Sequence, residues 1–370
     1  MKKNTFINCI LFCLSIIGYA QEIHPDYTIT DETFLQCNPV ISQGKTGTCW
    51  SFSTTSYIES EIVRLGLGTH DLSEVYQVRN TYIDKAKNYI LRQGKAQFSE
   101  GALSHDVIKS IQNHGVVPNK FYTGLSGNVK DKHDHSELIT LLTNMVDNAV
   151  THKILSDNWW KSYEAILDIY LGKRPDTFTY DGKTYTPIEF AKKLGIEADN
   201  YITLTSFTHH AIGSDFILEI PDNFSNGTYH NVSLNELQQV VDYALKQGFT
   251  VAWDGDVSEI GFSQENGLAI LTDKKEDTDI FKEYIKEVNV TPEYRQKEFE
   301  NYNTTDDHLM HLVGKGVDKK GKTYYKIKNS WGPKGVQKGY LYMSEAYFRM
   351  KTVGILLHKD GIPKKIKERV

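Results

Sequence analysis

Cys49 opens a run of helical periodicity and follows directly on a glycine-punctuated loop, Gln43-Gly44-Lys45-Thr46-Gly47-Thr48. A thiol attacks only as its thiolate, and a helix N-terminus favours that form by placing partial positive charge beside the sulfur. An imidazole completes such an activation by taking the proton, and a third group must hold the imidazole in line. An oxyanion formed on an attacked carbonyl needs donors, which a side-chain amide and the nucleophile's own N–H can supply. The chain offers each part. Gln43 lies on the loop leading to the helix, His308 stands at the start of a strand run, and Asn329 ends the next strand just before Ser330-Trp331-Gly332. Adjacent hairpin strands bring His308 and Asn329 side by side despite their separation, with Trp331 placed to cover their hydrogen bond from water.

The elements that must position these groups are legible as patterns. Apolar residues at Tyr57 or Ile58, Ile62 and Leu65 continue a helix from Cys49, and Gly66 and Gly68 stop it. A second helix reads over 105–113, closed by His114-Gly115. Ser233 and Glu236 form a capping-box pattern for a helix over 233–246, which ends at Gly248 and leads into a strand over 250–253. From 308 onward strands dominate, over 311–317, 323–328, 340–343 and 354–357, with Asp318-Lys319-Lys320-Gly321-Lys322 as a hairpin connection. Helices early and sheet late give an α+β fold of two lobes. The spacing predicts an N-terminal segment and helical lobe over 21–125, a mainly helical insertion over 126–235, and a β-rich lobe carrying His308 and Asn329 over 236–370.

Residues 1–20 are set apart from the fold. Lys2 and Lys3 precede an apolar run over 6–17, and Gly18-Tyr19-Ala20 puts small residues at the −3 and −1 positions, as a cleavable export signal requires. The run falls short of the ~20 residues that span a bilayer. Cleavage after Ala20 gives a periplasmic or extracellular protein of net charge −7 rather than −5, with no integral membrane association. A mildly acidic chain without a concentrated basic block gives no footprint for nucleic acid. Cys9 and Cys13 leave with the signal, so Cys37 and Cys49 remain and no disulfide framework exists.

The segment Gln43-Gly44-Lys45-Thr46-Gly47-Thr48-Cys49-Trp50-Ser51-Phe52 resembles the active-site segment of papain-like cysteine peptidases. Asn329-Ser330-Trp331-Gly332 resembles their asparagine motif, and Lys338-Gly339-Tyr340 the strand that follows it. Asp307-His308-Leu309-Met310 and His114-Gly115-Val116-Val117-Pro118 are similar to segments of the bleomycin hydrolase and aminopeptidase C branch. The resemblance implies a papain-like two-lobed fold, with Gln43 for the oxyanion, Cys49 as nucleophile, His308 as acid and base, and Asn329 as its orienter. It puts Gly101, Ala102 and Trp331 on the substrate, which is a peptide or protein, and it calls for no cofactor and no metal. It also leaves homo-oligomers open. Two departures stand out: Thr46 occupies a position where papain has a disulfide cysteine, and Gly101-Ala102 stands in place of Gly-Gly. The chain stops at Val370, before the C-terminal arm that enforces aminopeptidase action in that branch, so an open cleft and less restricted cleavage are expected. The alternatives are an aminopeptidase C-like exopeptidase, a transferase using the same acyl-enzyme, and an inactive peptide-binding homologue.

Other chemistry-bearing residues read more plainly. His311 is a packed or surface histidine, because positions i and i+3 of a strand point to opposite faces. His209-His210 reads as an exposed pair rather than a metal site, Asp254 and Asp256 as turn residues after a strand rather than cleft groups for a substrate amine, and Trp159-Trp160 as core of the insertion. Cys37 reads as a partly buried free thiol.

Overall fold

The computed structural model describes residues 23–126, 132–153, 155–274 and 280–370, so the expected export signal lies outside the described residues. Strand β1 (Thr30–Phe34) precedes three helices, α1 (Cys49–Arg64), α2 (Glu74–Leu91) and α3 (Ser104–His114). Helices α4 (Ser136–His152) and α5 (Asp157–Leu171), the hairpin β2 (Phe178–Tyr180) and β3 (Lys183–Tyr185), and α6 (Pro187–Lys193) follow. Strands β4 (Tyr201–Thr205), β5 (Asp215–Ile217) and β6 (Thr228–Asn231) lead to α7 (Leu234–Lys246) and β7 (Val251–Gly255). The last third holds β8 (Phe262–Ser263), β9 (Leu268–Ala269), α8 (Pro292–Glu300), β10 (His308–Val317), β11 (Thr323–Lys328), β12 (Tyr340–Ser344), α9 (Glu345–Lys351), β13 (Thr352–His358) and α10 (Lys364–Lys367).

Helix α1 is buried from Cys49 through Ile62 on every face. Its Ser- and Thr-rich sequence has modest intrinsic helicity, so tertiary packing rather than propensity holds it. The small side chains let neighbours approach closely, and several of their hydroxyls find protein partners instead of water. Ser51 Oγ donates to Glu74 O at 2.8 Å, Ser60 Oγ to Gln36 O at 2.9 Å, and Thr54 Oγ1 to Ser104 Oγ at 3.0 Å.

Against α1 lies one mixed sheet of eleven strands, in the order β5-β6-β4-β13-β7-β10-β11-β12-β9-β8, with β1 added on β10. Strand β10 is long enough to hold two partners on one edge. β7 pairs with His308–Leu312 and β1 with Gly314–Val317, while β11 runs along the other edge. Alternation sorts its side chains: Leu309 enters the core shared with α1, and Met310 and Leu312 enter a second core on the opposite face. That second core is closed by the apolar stripe of α7, Leu237, Val240, Val241 and Ala244, all fully buried. Complete burial of each of the larger side chains contributes about 1.5–3 kcal/mol. Within 126–235, α4 and α5 pack on the helical side, whereas β4 to β6 join the main sheet through the β4–β13 pairing.

One sequence reading needs correction. Asp254 is not a turn residue: β7 runs through Gly255 with both edges paired, while Asp256 does follow the strand, and both acids are buried. The hydrogen bonds to β13, a strand nearly a hundred positions away, could not be read locally.

Arg295 of α8 is buried and ties α8 to the end of the sheet. Its guanidinium donates to Ser206 O at 2.8 Å, Arg349 O at 2.9 Å, Met350 O at 3.1 Å and Thr352 O, and it lies over the Phe207 ring. Burial, with Arg349 nearby, lowers its pKa to about 9. Arg295→Leu strips donors from four carbonyls and should cost about 3 kcal/mol, seen as a drop of several degrees in the thermal midpoint. An unchanged midpoint would show that these carbonyls are satisfied without the guanidinium.

Candidate active site

Cys49 is the first residue of α1, and Thr48 at the N-cap places no side-chain oxygen on the first-turn N–H groups. The Thr48 hydroxyl is turned instead to Thr46 Oγ1 at 2.6 Å. The preceding loop is pinned from outside: Gly44 sits at φ +70°, and a Cβ there would come within 2.2 Å of His133 O, the acceptor of the Lys45 N–H. Glycine is therefore required at that position by both conformation and space.

His308, the first residue of β10, is buried, and its Nε2 lies 2.7 Å from Asn329 Oδ1. Two further contacts decide which end of the Asn329 amide faces the ring. Oδ1 also accepts from Ser330 N–H at 2.7 Å, and Nδ2 donates to Gln264 Oε1 at 2.7 Å. Oxygen therefore faces the imidazole, Nε2 must carry the proton, and Nδ1 is left with a lone pair. Trp331 covers this pair, its ring centroid 4.7 Å from that of His308. Gln264, on the β8–β9 connection, positions Asn329 and was missed in the sequence, where no motif marks it.

Gln43 is buried and clamped at both ends of its amide. Oε1 accepts from Ser330 Oγ at 2.5 Å, Nε2 donates to Thr46 O at 2.6 Å, and its backbone N–H donates to Ser330 O at 2.8 Å. One Nε2 hydrogen remains for an oxyanion. Gln43, Cys49, Gly101, Asp222 and His308 line a common cleft of about 520 Å3, bringing the nucleophile candidate, the imidazole and the amide donor together.

Burial works against a charged pair in this cleft. It pushes the Cys49 thiol up to about 12, opposed by the Leu309 N–H, and pushes His308 down to about 4, opposed by the Asn329 hydrogen bond. A thiolate–imidazolium pair must therefore be supported by its own attraction and by the α1 N-terminus.

Of the residues expected on the substrate, Gly101 lines the cleft, whereas Ala102 is buried and can offer only backbone. Both backbone groups of Gly101 are already engaged, its N–H by Ser99 Oγ at 3.3 Å and its carbonyl by the Lys85 ammonium. A substrate strand would have to share them. Asp222, from the loop after β5, presses on Gly101 so closely that a Cβ there would meet its carboxylate at 1.9 Å. Gln97 Nε2 holds Asp222 Oδ1 at 2.6 Å. Behind it, burial and the Asp306 charge raise Asp254 well above the carboxylate range, burial and the Asp222 charge raise Asp306 to about 7, and burial lowers Lys85 to about 8. Asp254 receives no hydrogen-bond donor on either oxygen.

A model of the peptidase C1-like family matches residues 95–370, most of the chain. The chain belongs to the peptidase C1-like family. It is thus a member of a cysteine peptidase family, a hydrolase class, in the papain-like superfamily and its aminopeptidase C and bleomycin hydrolase branch. Aminopeptidase G of Lactobacillus delbrueckii subsp. lactis is 24% identical over 399 residues, which cover 94% of this chain and 87% of that protein. Human bleomycin hydrolase is 22% identical over 376 residues, covering 89% of this chain and 82% of its own. The crystal structure of PepW from Lactobacillus rhamnosis superposes with a TM-score of 0.73 at 19% identity, over 92% of this chain and 84% of that one. That likeness supports the α+β, papain-like fold of this peptidase C1-like chain. Among the described residues no helix is long and apolar enough to cross a membrane.

The His308 value fixes a pH dependence. Below about 4 the imidazole is protonated while the thiol is still protonated, so no base is present; above it the lone pair on Nδ1 returns. kcat/KM for a peptide substrate should rise with pH along an acid limb centred near 4, a value that belongs to the thiol–imidazole pair. An acid limb at the ordinary histidine value of about 6.5 would contradict the buried, Trp331-covered setting.

Proposed function

We propose that this chain hydrolyses peptide bonds through a thioester acyl-enzyme, with Cys49 as nucleophile and His308 as base and then acid. Asn329 orients the imidazole, and Gln43 with the Cys49 N–H receives the oxyanion. The observation that carries this reading is the single tautomer imposed on His308, which leaves its Nδ1 as an acceptor in the cleft that Cys49 lines. In the first half-reaction the thiol proton passes to Nδ1 as sulfur bonds to the scissile carbonyl carbon. The imidazolium then gives that proton to the leaving nitrogen, and the C–N bond breaks. Water repeats the sequence on the thioester, losing its proton to Nδ1 and returning the thiol.

Two readings of the substrate's end follow from different observations. Cleavage within a chain is supported by the packing of α10 on α7, with Ile366 in the second core and Arg369 on Glu236, away from the cleft lining. Cleavage next to a free N-terminus is supported by the carboxylate of Asp222 on the cleft, which would pair with an ammonium. The aminopeptidase names of the relatives point the same way. Of the two, we favour the open cleft. Matched fluorogenic peptides with free and with blocked amines separate them: comparable kcat/KM supports it, and cleavage confined to free amines overturns it. In both cases Cys49→Ala should lose about 10^4-fold or more in kcat, and retained activity would overturn the thioester mechanism.

We also read the chain as exported, on the strength of Lys2-Lys3, the apolar run over 6–17 and Ala20. N-terminal sequencing of the protein recovered outside the cytoplasm should begin at Gln21. Protein that keeps Met1 and remains in the cytoplasm would overturn this.

A further inference from the structure

His209 and His210 lie in the bend before β5, and Glu219 lies just after that strand. The two imidazoles converge on one carboxylate: His209 Nε2 is 3.2 Å from Oε2, and His210 Nε2 is 2.7 Å from Oε1. The three ligand atoms lie within 4.8 Å of one another. All three side chains keep some contact with solvent.

The rings are held rather than loose. His210 stacks on Phe216 with centroids 4.0 Å apart and an interplanar angle of 25°, and His209 is parallel to Phe299 within 17°. Behind His209, Gln296 of α8 presents both ends of its amide to Nδ1, with Nε2 at 3.0 Å and Oε1 at 3.2 Å. Gln296 is itself fixed, because Oε1 accepts from Thr208 N–H at 2.7 Å and Nε2 donates to Glu300 at 2.9 Å. This amide can therefore serve either tautomer. It donates to Nδ1 when Nε2 carries the proton toward Glu219, and it accepts from Nδ1–H when Nε2 must offer its lone pair.

We propose that His209, His210 and Glu219 form a binding site for a borderline divalent cation of the zinc type. Two imidazoles and a carboxylate are the donor set such ions take, and the solvent side leaves room for water as a further ligand. Metal–ligand bonds of about 2.0–2.2 Å in a tetrahedron separate neighbouring donors by about 3.3 Å. The His209 Nε2–Oε2 contact already has nearly that span, whereas His210 Nε2 faces the other oxygen, Oε1, at 2.7 Å, and the exposed carboxylate must turn so that a single oxygen serves as ligand beside both imidazoles. On binding, the cation takes the place of the Nε2 protons that otherwise bridge to Glu219: that of His209 relocates to its Nδ1, where Gln296 accepts it, and that of His210 relocates to its own Nδ1 through solvent.

The site bears on the cleft through the chain itself. Glu219 is followed by Ile220, Pro221 and then Asp222, whose carboxylate presses on Gly101. A cation that ties Glu219 to two histidines backed by α8 would hold this short segment, and with it the acidic wall of the cleft.

Zn2+ titrated calorimetrically into the full chain tests this, with Cys49→Ala throughout so that the cleft thiol does not compete. One site is expected, lost in His210→Ala and in Glu219→Gln and weakened about 10–100-fold in Gln296→Ala. Zn2+ should also raise the thermal midpoint of the parent but not of His210→Ala, a readout that reports on a folded variant directly. Equal Zn2+ binding by the parent, His210→Ala and Glu219→Gln, or no binding by the parent, overturns the site. Amide exchange should slow from Glu219 through Asp222 when Zn2+ is added, and protection confined to residues before Ile220 overturns the coupling to the cleft.

Discussion

Helix α1 has no exposed face between Cys49 and Ile62, and that burial governs how the rest of the molecule is built. Many of its enclosed side chains are small Ser and Thr, and the hydroxyls of Ser51, Thr54 and Ser60 find protein partners, which ties it to α2, α3 and the chain before it. The same enclosure fixes the direction of its N-terminus. Thr48 spends its hydroxyl on Thr46, so the first turn ends in the cleft without a side-chain cap. Strand β10 crosses this helix and brings two histidines to different jobs. His308 turns to Asn329 and Trp331, whereas His311 is buried against Ser56 Oγ at 2.9 Å and kept neutral by burial, with Lys328 adding to the effect.

A chain that encloses helix α1 so completely also encloses charge, and each buried ion is handled differently. Arg295 is solvated by backbone carbonyls. Lys85 rests on Gly101 O with Asp222 nearby, and Lys328 donates to Ser56 Oγ at 2.7 Å. Asp254 and Asp306 have no such cation in contact; burial raises both, helped at Asp254 by the Asp306 charge and at Asp306 by the Asp222 charge, so that a proton stands in for a counterion. On the cleft itself, Asp222 from the loop after β5 and Asp307 from the segment before β10 form an acidic wall. Two stretches distant in sequence thus meet at the candidate site, and only the one before β10 carries a family motif.

The sequence by itself determined most of the local elements and pointed to a candidate set of chemistry-bearing residues. Helices α1, α3 and α7 and strands β11 to β13 fall within a few residues of their expected limits, because their signals are local: apolar period, a capping box, glycine stops. Gln43, Cys49, His308 and Asn329 are recognisable for a related reason, since each sits beside a distinctive neighbour such as Gly44, Trp50 or Trp331. The folded chain alone established what those neighbours do. Gln264, which sets the Asn329 amide, lies in an unremarkable turn, and its importance comes from Gly335 and the β8–β9 connection packing together. Asp254 looked like a turn residue because the β13 partner that buries it is far along the chain. His209 and His210 looked merely exposed, and their convergence on Glu219 depends on the fold of β5 and on Gln296 from a distant helix. Side-chain identity and period are properties of neighbouring residues, whereas desolvation, charge repulsion and ligand convergence depend on distances in space, which contacts across the sheet and between lobes create.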